Sequence, residues 1–240
     1  MKHIVQFSGG AASTYVAKMV IDLYGRENTI LIHNDTKAED PDTYRFIDQV
    51  SDFLNHPITD ASDGRSLWEL VEKYGFPSTF LPFCTDKLKQ QPTRKFLKAL
   101  NDEFIMYNGF GADEWRRVQK STVRANEAGY RLESLLFENR ISKEQIMTEI
   151  PKQWGICLPN AYRYFKHNNC IPCFKGGKAH WHKVWKYYPE KFNRAKDIEN
   201  TSTYCVFRDI SLEDLARRFE RNDMASLFDQ DEGIPCMCAG

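Results

Sequence analysis

The sequence lacks several features that would assign it to a specialised class of protein. Among its 240 residues no apolar run approaches the roughly 20 residues needed to cross a bilayer, and there are no internal repeats or low-complexity tracts. Its 33 Lys and Arg residues are balanced by 33 Asp and Glu residues, and seven cysteines are too few for a disulfide-rich mini-scaffold. With 42% hydrophobic residues, one large domain, or one domain with an appendage, is expected.

The start of the chain also lacks the marks of a secretory signal. It reads MKHIVQF, with no extended apolar core and no small-residue cleavage site. A cytoplasmic location without a membrane partner is therefore predicted. In a reducing compartment the odd number of cysteines favours thiols, metal ligands or redox groups over structural disulfides.

Short apolar segments alternate with amphipathic ones along the first half of the chain. Strands are predicted over 3–7, 29–35, 56–60 and 103–110, and helices over 11–23, 41–54, 66–74 and 92–100, with 75–91 as a loop. A further strand over 132–137, a helix capped at Ser142 and a last helix from Ser211 to about Asn222 are also predicted. This alternation favours an α/β fold: a doubly wound, mostly parallel sheet followed by a mainly helical C-terminal region. The predicted domains are residues 1–125 and 126–240.

Residues 152–196 contain ten Lys or Arg residues and one acidic residue, Glu190, so this basic segment carries +9 and the rest of the chain −9. Ten aromatic residues are interleaved with these cations. One interpretation is a nucleic-acid surface, with tRNA or DNA as substrate, where cations meet phosphates and aromatics stack on bases. The other is a helical subdomain whose aromatic residues form its own core and whose lysines are merely solvated.

A glycine-containing segment, Ser8-Gly9-Gly10-Ala11-Ala12-Ser13-Thr14, lies between the first predicted strand and the first helix. Glycines there permit positive φ and let backbone N–H groups point at an anion, and the helix N-terminus adds a partial positive charge. No Lys follows as in a Walker A loop, and the third glycine of the dinucleotide pattern is missing. The alternative to a phosphate loop is a tight strand-to-helix turn.

Five segments in register resemble a known family. They are Phe7 to Ser13, Asn34-Asp35-Thr36 with 39–44, Cys84-Thr85 with Leu88-Lys89 and Pro92, 109–114 with Arg116-Arg117, and 168–173 with Trp181 and 188–190. Over roughly residues 1–195 the chain resembles the N-type ATP pyrophosphatases, or PP-loop superfamily, and within it the phosphoadenosine phosphosulfate (PAPS) reductase-like branch.

The resemblance implies a site for ATP or a related adenine nucleotide with Mg²⁺. By residue-by-residue transfer, Ser8, Gly9, Gly10, Ser13 and Thr14 would contact phosphate, Asp35 and Thr36 would lie near the ribose or the Mg²⁺, and Gly109, Gly111 and Arg116 would close over the nucleotide. Cys84 and Asp35 are the predicted catalytic residues.

The implied activity is ATP-dependent adenylylation with pyrophosphate release, linked to sulfur transfer onto a nucleic acid or a small molecule. Cys84 or a C-terminal thiol would carry the sulfur. A sulfur donor protein and a second copy of the chain, forming a homodimer, are the expected protein partners.

Two departures from the family pattern keep alternatives open. The chain ends Pro235-Cys236-Met-Cys238 rather than in the Glu-Cys-Gly motif of the sulfonucleotide reductases, which argues against, without excluding, thiol-dependent reduction of a sulfonucleotide. Ala12 stands where many members have Asp, which allows a catalytically degenerate protein that only binds nucleotide or nucleic acid.

The cysteines admit three models. In the first, Cys170 and Cys173 pair with Cys236 and Cys238 around Zn²⁺ or a [4Fe–4S] cluster. In the second, Cys84 joins Cys170 and Cys173, as the resemblance to iron–sulfur members implies, although Phe83 stands where those members have a second Cys. In the third, they bind no metal. Cys205 is predicted to be a core residue, and His180 and His182 are predicted to be surface residues.

Overall fold

The structure is a computed structural model that describes residues 1–223. Its centre is a five-stranded sheet in the order β3-β2-β1-β4-β5, and every neighbouring pair is parallel. The strands are β1 (Lys2–Gln6), β2 (Thr29–His33), β3 (Ile58–Asp60), β4 (Phe104–Tyr107) and β5 (Arg131–Glu133). The predicted α/β class with a parallel sheet is confirmed.

Helices cover the sheet and continue beyond it. They are α1 (Ala11–Tyr24), α2 (Pro41–Leu54), α3 (Leu67–Tyr74), α4 (Phe83–Thr85), α5 (Gln91–Ala99), α6 (Trp115–Glu127), α7 (Leu135–Glu138), α8 (Lys143–Gln153), α9 (Lys178–Tyr187), α10 (Pro189–Thr201) and α11 (Leu212–Glu220). A π-helical turn, Asp86–Gln90, joins α4 to α5, and a 3₁₀ turn spans Asn160–Arg163. No helix within residues 1–223 is long and apolar enough to span a membrane.

Both faces of the sheet are buried, which explains why the strands are apolar at consecutive positions. Val5 and Leu31 pack on one side with α1, while Ile4 and Ile32 pack on the other. The helix starts predicted from capping residues are confirmed: Ser66 forms a capping box with Glu69, and Ser142 and Ser211 cap α8 and α11.

Two local predictions were wrong. Residues 83–90, predicted as part of a loop, are helical, because the Gly and Pro residues stop at Pro82 and the buried Leu88 anchors the turn that follows. The predicted strand over 132–137 ends at Glu133, and Leu135 begins α7. Since β5 pairs with β4, the sheet extends past residue 125, and a domain division there stays a prediction.

The aromatic residues of the basic segment mainly build a second core. Trp181 and Phe192 are fully buried there and pack with Trp68 of α3 and Phe219 of α11. Three of the segment's cations form ion pairs with acidic residues outside it: Lys178 with Asp209, Arg194 with Glu72 and Lys196 with Glu213. The helical-core interpretation therefore accounts for most of the segment. Cys205 is exposed, so its assignment to the core was wrong.

Candidate functional site

A large cleft lies where the strand order reverses. Strands β1 and β4 are neighbours in the sheet but their connections leave in opposite directions, and open α/β sheets bind ligands at such a switch point, beyond the carboxyl ends of the strands. The cleft has a volume of about 570 Å³. Residues from four parts of the chain line it, including Ser8, Gly10, Ser13, Asn108, Gly109, Gly111, Arg116, Lys143, Tyr162 and Asn168.

The turn from β1 into α1 forms one wall of the cleft. Gly9 has a φ of +71°, and a Cβ there would lie 3.0 Å from Cγ2 of Thr43, so glycine is required both by conformation and by space. Helix α1 follows Gly10 without a side-chain cap and without an acidic residue in its first turn. Apart from the N–H of Ala11, which donates to the Tyr162 hydroxyl at 2.9 Å, the N-terminus of this 14-residue helix has no side-chain cap, and its position at the cleft suits it to bind an anion.

The hydroxyl groups of Ser13 and Thr14, which are predicted to contact phosphate, form hydrogen bonds within the turn. Ser13 donates to the carbonyl of Gly10 at 3.0 Å and accepts from the backbone N–H of Ser8 at 3.1 Å. The buried Thr14 also donates to the carbonyl of Gly10, at 3.0 Å. Ser8, Gly10 and Ser13 line the cleft, whereas Gly9 and Thr14 do not. Backbone N–H groups are therefore the main donors that this turn offers to a ligand.

Two side chains from the C-terminal half brace the same turn. The hydroxyl of Tyr162 accepts from the N–H of Ala11 at 2.9 Å, and the amide of Asn168 donates to the carbonyl of Gly9 at 2.9 Å. Asn168 also accepts from the hydroxyl of Thr43 at 3.1 Å. Burial raises the pKa of Tyr162, which keeps its hydroxyl protonated. The loop's conformation thus depends on residues more than 140 positions away.

The carboxyl end of β4 forms the opposite wall. A Cβ on Gly109 would lie 3.0 Å from the backbone nitrogen of Ser13, so only glycine lets the chain approach the first turn of α1 this closely. The predicted Gly109, Gly111 and Arg116 all line the cleft. Its cations are Lys89, Arg116, Arg117 and Lys143, and its carboxylates are Glu39, Asp113 and Glu114. Burial lowers the pKa of Lys143, which the nearby acidic side chains partly offset.

Asp35 and Thr36, at the end of β2, are not among the residues that line the cleft. Asp35 accepts from the Tyr44 hydroxyl at 2.8 Å and from the N–H of Lys37 at 2.7 Å. Burial, and next the bond to Asp35, raises the pKa of Tyr44. Thr36 donates to Glu39 at 2.9 Å and lies 3.1 Å from the sulfur of Cys170. Thr36 thus lies beside Cys170, whereas Asp35 contacts Tyr44 and Lys37.

A second, smaller cavity of about 20 Å³, here called the thiol cavity, brings three predicted cysteines together. Cys84, Cys170 and Cys173 all line it. Lys89 lines both this cavity and the cleft, and Glu39, which lines the cleft, lies 3.8 Å from the sulfur of Cys170. The thiols therefore lie beside the cleft, separated from it by Glu39 and Lys89.

His180 holds the turn that carries Cys173. Its Nε2 accepts from the backbone N–H of Cys173 at 3.0 Å, so that nitrogen is not available as a metal ligand. Burial, and next Lys183, lowers the pKa of His180 to about 4, so the ring is neutral near pH 7. Both His180 and His182 are partly buried, which contradicts their predicted place on the surface.

The metal models gain no support from the described residues. Within 1–223 no group of three or more His, Cys, Asp or Glu side chains is arranged to hold an ion. Cys236 and Cys238 lie outside the described residues. A Zn²⁺ or iron–sulfur site on Cys170 and Cys173 stays a prediction.

Three residues that line the cleft were not predicted as site residues from the sequence: Asn108, Tyr162 and Asn168. Asn108 directly follows β4, a position where polar residues of parallel sheets reach the ligand edge, and this signal was available. Tyr162 and Asn168 act from a distant part of the chain, and no local pattern indicates their contacts with Ala11 and Gly9.

Comparison with known proteins decides the family. Residues 2–135, more than half of the chain, match the model of the phosphoadenosine phosphosulfate reductase domain. The chain belongs to this family. The predicted PAPS reductase-like membership is confirmed, and with it a nucleotide-binding domain of the PP-loop type.

Two relatives in sequence carry names that describe them as uncharacterized. One is the uncharacterized nin region protein ORF290 of Escherichia phage lambda, 30% identical over 209 residues that cover 73% of this chain and 66% of that protein. Another is the uncharacterized protein MJ0973 of Methanocaldococcus jannaschii, 26% identical over 206 residues, 80% of this chain and 46% of that protein. The chain thus spans less than two thirds of the length of these relatives.

Among solved structures, a phosphoadenylyl-sulfate reductase from Candida auris in a phosphate complex matches with a TM-score of 0.47 and 15% identity. The match covers 68% of this chain and 78% of that chain.

Proposed function

We propose that this PAPS reductase-family protein binds ATP in the cleft and transfers its adenylyl group to a substrate, releasing pyrophosphate, as a step that prepares the substrate for sulfur transfer. The observation that carries this proposal is the uncapped N-terminus of α1, which faces a cleft of about 570 Å³ beside a cavity lined by three cysteines. A nucleotide site and a thiol site in contact are what an activation step followed by a sulfur step requires.

In this reaction an oxygen of the acceptor attacks the α-phosphorus of ATP, and the bond to the β-phosphate oxygen breaks. The turn after β1 would hold the phosphates of ATP, the leaving ones included, through its backbone N–H groups, while Arg116, Arg117 and Lys143 offset the charge that builds up on the leaving pyrophosphate. Donors already fixed before the reaction are effective because they need little reorganisation. The bracing of the turn by Tyr162 and Asn168 supplies that fixity.

Mg²⁺ fits the cleft through Asp113, an exposed carboxylate at its edge, because this ion is commonly held by one or two carboxylates together with substrate phosphates. When bound with ATP, it would spread the negative charge of the leaving pyrophosphate. Asp35 is a weaker candidate as ligand, since its carboxylate is engaged by Tyr44 and Lys37.

The sulfur step would use the thiol cavity. Cys84 is the proposed carrier of a persulfide supplied by the donor protein, and its outer sulfur would displace AMP from the adenylylated acceptor. Cys170 or Cys173, which lie on the same cavity, would then attack the Cys84 sulfur, release the thiolated product and form a disulfide that an added dithiol reduces. The acceptor would be a nucleic acid or a small molecule that enters from the open side of the cleft, where Trp115 is 54% exposed. A sulfur donor protein and a homodimer remain part of this proposal.

A second candidate is thiol-dependent reduction of a sulfonucleotide. The match to the PAPS reductase domain and the presence of thiols beside the cleft favour it. The two reactions consume different substrates, so one pair of assays separates them.

The test is to incubate the protein with ATP and Mg²⁺, with and without tRNA, DNA and small molecules that carry an acceptor oxygen, and to measure pyrophosphate. Parallel samples with PAPS or adenosine phosphosulfate and a dithiol are assayed for sulfite. Acceptor-dependent pyrophosphate supports adenylylation, and sulfite supports reduction. Nucleotide binding with neither product would overturn both and favour a protein that only binds nucleotide.

A further inference from the structure

One buried amide in the cleft lacks the partner that its chemistry demands. Asn108 is 2% exposed and follows β4 directly. Its Oδ1 accepts from the N–H of Phe110 at 3.2 Å and from the hydroxyl of Ser134 at 2.9 Å. Its Nδ2 has no hydrogen-bond partner among the described residues.

The orientation of this amide is set by its neighbours. The N–H of Phe110 can only donate, so it must face the oxygen of Asn108 and not the nitrogen. The nitrogen, with its two protons, is then directed away from Phe110 and Ser134. Asn108 lines the cleft while its Nδ2 is shielded from solvent, so a molecule bound against this wall is the candidate acceptor for these protons.

Leaving such a donor unpaired is costly. A buried amide N–H without an acceptor lowers the stability of the folded protein by about the free energy that a hydrogen bond to a charged group contributes. Most buried polar groups in folded proteins are accordingly paired. An unpaired donor in a residue that lines a cleft therefore indicates a side chain that donates a hydrogen bond to a bound ligand.

The place of Asn108 identifies the acceptor. The next residue, Gly109, approaches the backbone nitrogen of Ser13 in the first turn of α1 so closely that a Cβ would lie 3.0 Å from it. The amide of Asn108 and the uncapped N-terminus of α1 thus belong to one corner of the cleft. The partial positive charge at that N-terminus favours anionic oxygens there over neutral acceptors.

We infer that Asn108 is a ligand-binding residue whose Nδ2 donates to an oxyanion oxygen of the group held at the N-terminus of α1, a phosphate of the nucleotide or the sulfate joined to it. This inference rests on the proposed nucleotide site and adds a side-chain donor to its backbone donors. It is independent of the thiols and of whether adenylylation or reduction follows.

The test compares Asn108→Asp with wild type by calorimetric titration of ATP, AMP and adenosine. Aspartate keeps an oxygen for Phe110 and Ser134 but replaces the donor with a negative oxygen. ATP and AMP should bind about 10- to 100-fold more weakly, and adenosine should change by less than about threefold. Ser134→Ala is the matched control, since it removes a bond to the same amide but leaves the Nδ2 donor, and ATP affinity should stay within about threefold.

Three results would overturn the inference. Equal weakening for ATP and adenosine would assign the amide to the base or sugar, and unchanged ATP affinity in Asn108→Asp would show that it has no ligand role. If Asn108→Asp melts too early to titrate, Asn108→Ser takes its place, with the same expected selectivity for the phosphorylated ligands. If wild type binds no adenine nucleotide, the proposed function fails, and pyrophosphate and sulfate become the probes. Asn108-dependent binding of either anion would still support the inference, and binding of neither would end it.

Discussion

The two cavities of the molecule are built in different ways. The cleft is formed mainly where two strands of one sheet end, and the groups proposed to bind an anion are backbone N–H groups at a helix start, so most of its walls follow from short local segments. The thiol cavity is formed by residues from β2–α2, α3, α4 and the segment after Asn169, which only the packing of distant helices brings together. Glu39 and Lys89 connect the two. We therefore expect that substitutions can change nucleotide binding in the cleft and the chemistry of the thiol cavity separately.

The largest expected effect is a loss of turnover without a loss of ATP affinity when a cysteine of the thiol cavity is replaced. Cys84→Ala or Cys170→Ala should lower turnover at least about 100-fold, because the variant lacks a thiol of the cavity, while ATP affinity stays within about twofold. Cys205→Ala is the matched control, since Cys205 is exposed and lies outside both cavities. Product formation and calorimetric titration measure the two quantities. A parallel loss of affinity and turnover would show that the cavities do not act separately.

Gly109→Ala should act on the cleft alone. The added methyl group meets the backbone of Ser13 and cannot be relieved by a side-chain rotation, so the wall of β4 must move away from α1. We expect ATP to bind about 10- to 100-fold more weakly and the free energy of unfolding to fall by about 1–3 kcal/mol.

The control for Gly109→Ala is Gly64→Ala. Gly64 has a φ of +85° and nothing within 4 Å of a Cβ, so alanine there strains the backbone without pushing on a neighbour. Its free energy of unfolding should fall by about 1 kcal/mol with no change in ATP affinity. If both variants lose affinity alike, general destabilisation rather than the close approach at Gly109 explains the result.

The different construction of the two cavities also explains what could be predicted from sequence. The glycines of the turn after β1 and those after β4 follow recognisable strands, and both line or shape the cleft, while their contacts with a nucleotide stay a prediction. The grouping of Cys84 with Cys170 and Cys173 was one of three models, because no local spacing relates a cysteine on α4 to a pair 86 or more positions later. The brace of Tyr162 on Ala11 carries no sequence signal at all, since it depends on how the segment after α8 folds back over the sheet.

Tyr162→Phe tests whether the C-terminal half holds the phosphate-binding turn. The variant keeps the ring but leaves the N–H of Ala11 without its acceptor, so the free energy of unfolding should fall by about 1–2 kcal/mol. ATP affinity should fall about 3- to 10-fold because the turn is less well fixed. Tyr164→Phe, whose ring stacks on Tyr187 outside the cleft, should change neither quantity. Chemical denaturation and titration measure both, and an unchanged Tyr162→Phe protein would show that the turn holds its shape alone.

The smallest expected effect is a pH dependence confined to the cleft. Burial, and next Lys143, lowers the pKa of His167 from its usual 6.5, so the ring is neutral at pH 7.5 in the ligand-free protein. A bound phosphate favours the protonated ring, so protons are taken up on binding and ATP affinity should rise as the pH falls from 7.5 towards 6. Because His167 is more than a third exposed, solvent screens this gain, and we expect about two- to fourfold. His167→Gln removes the ring's titration but not that of ATP itself, so the difference between the two affinity profiles isolates the histidine. Identical pH profiles of ATP affinity for the two proteins would exclude a role for His167 in the cleft. A pH dependence that followed the reactivity of the thiols instead would place the titrating group beside the cysteines.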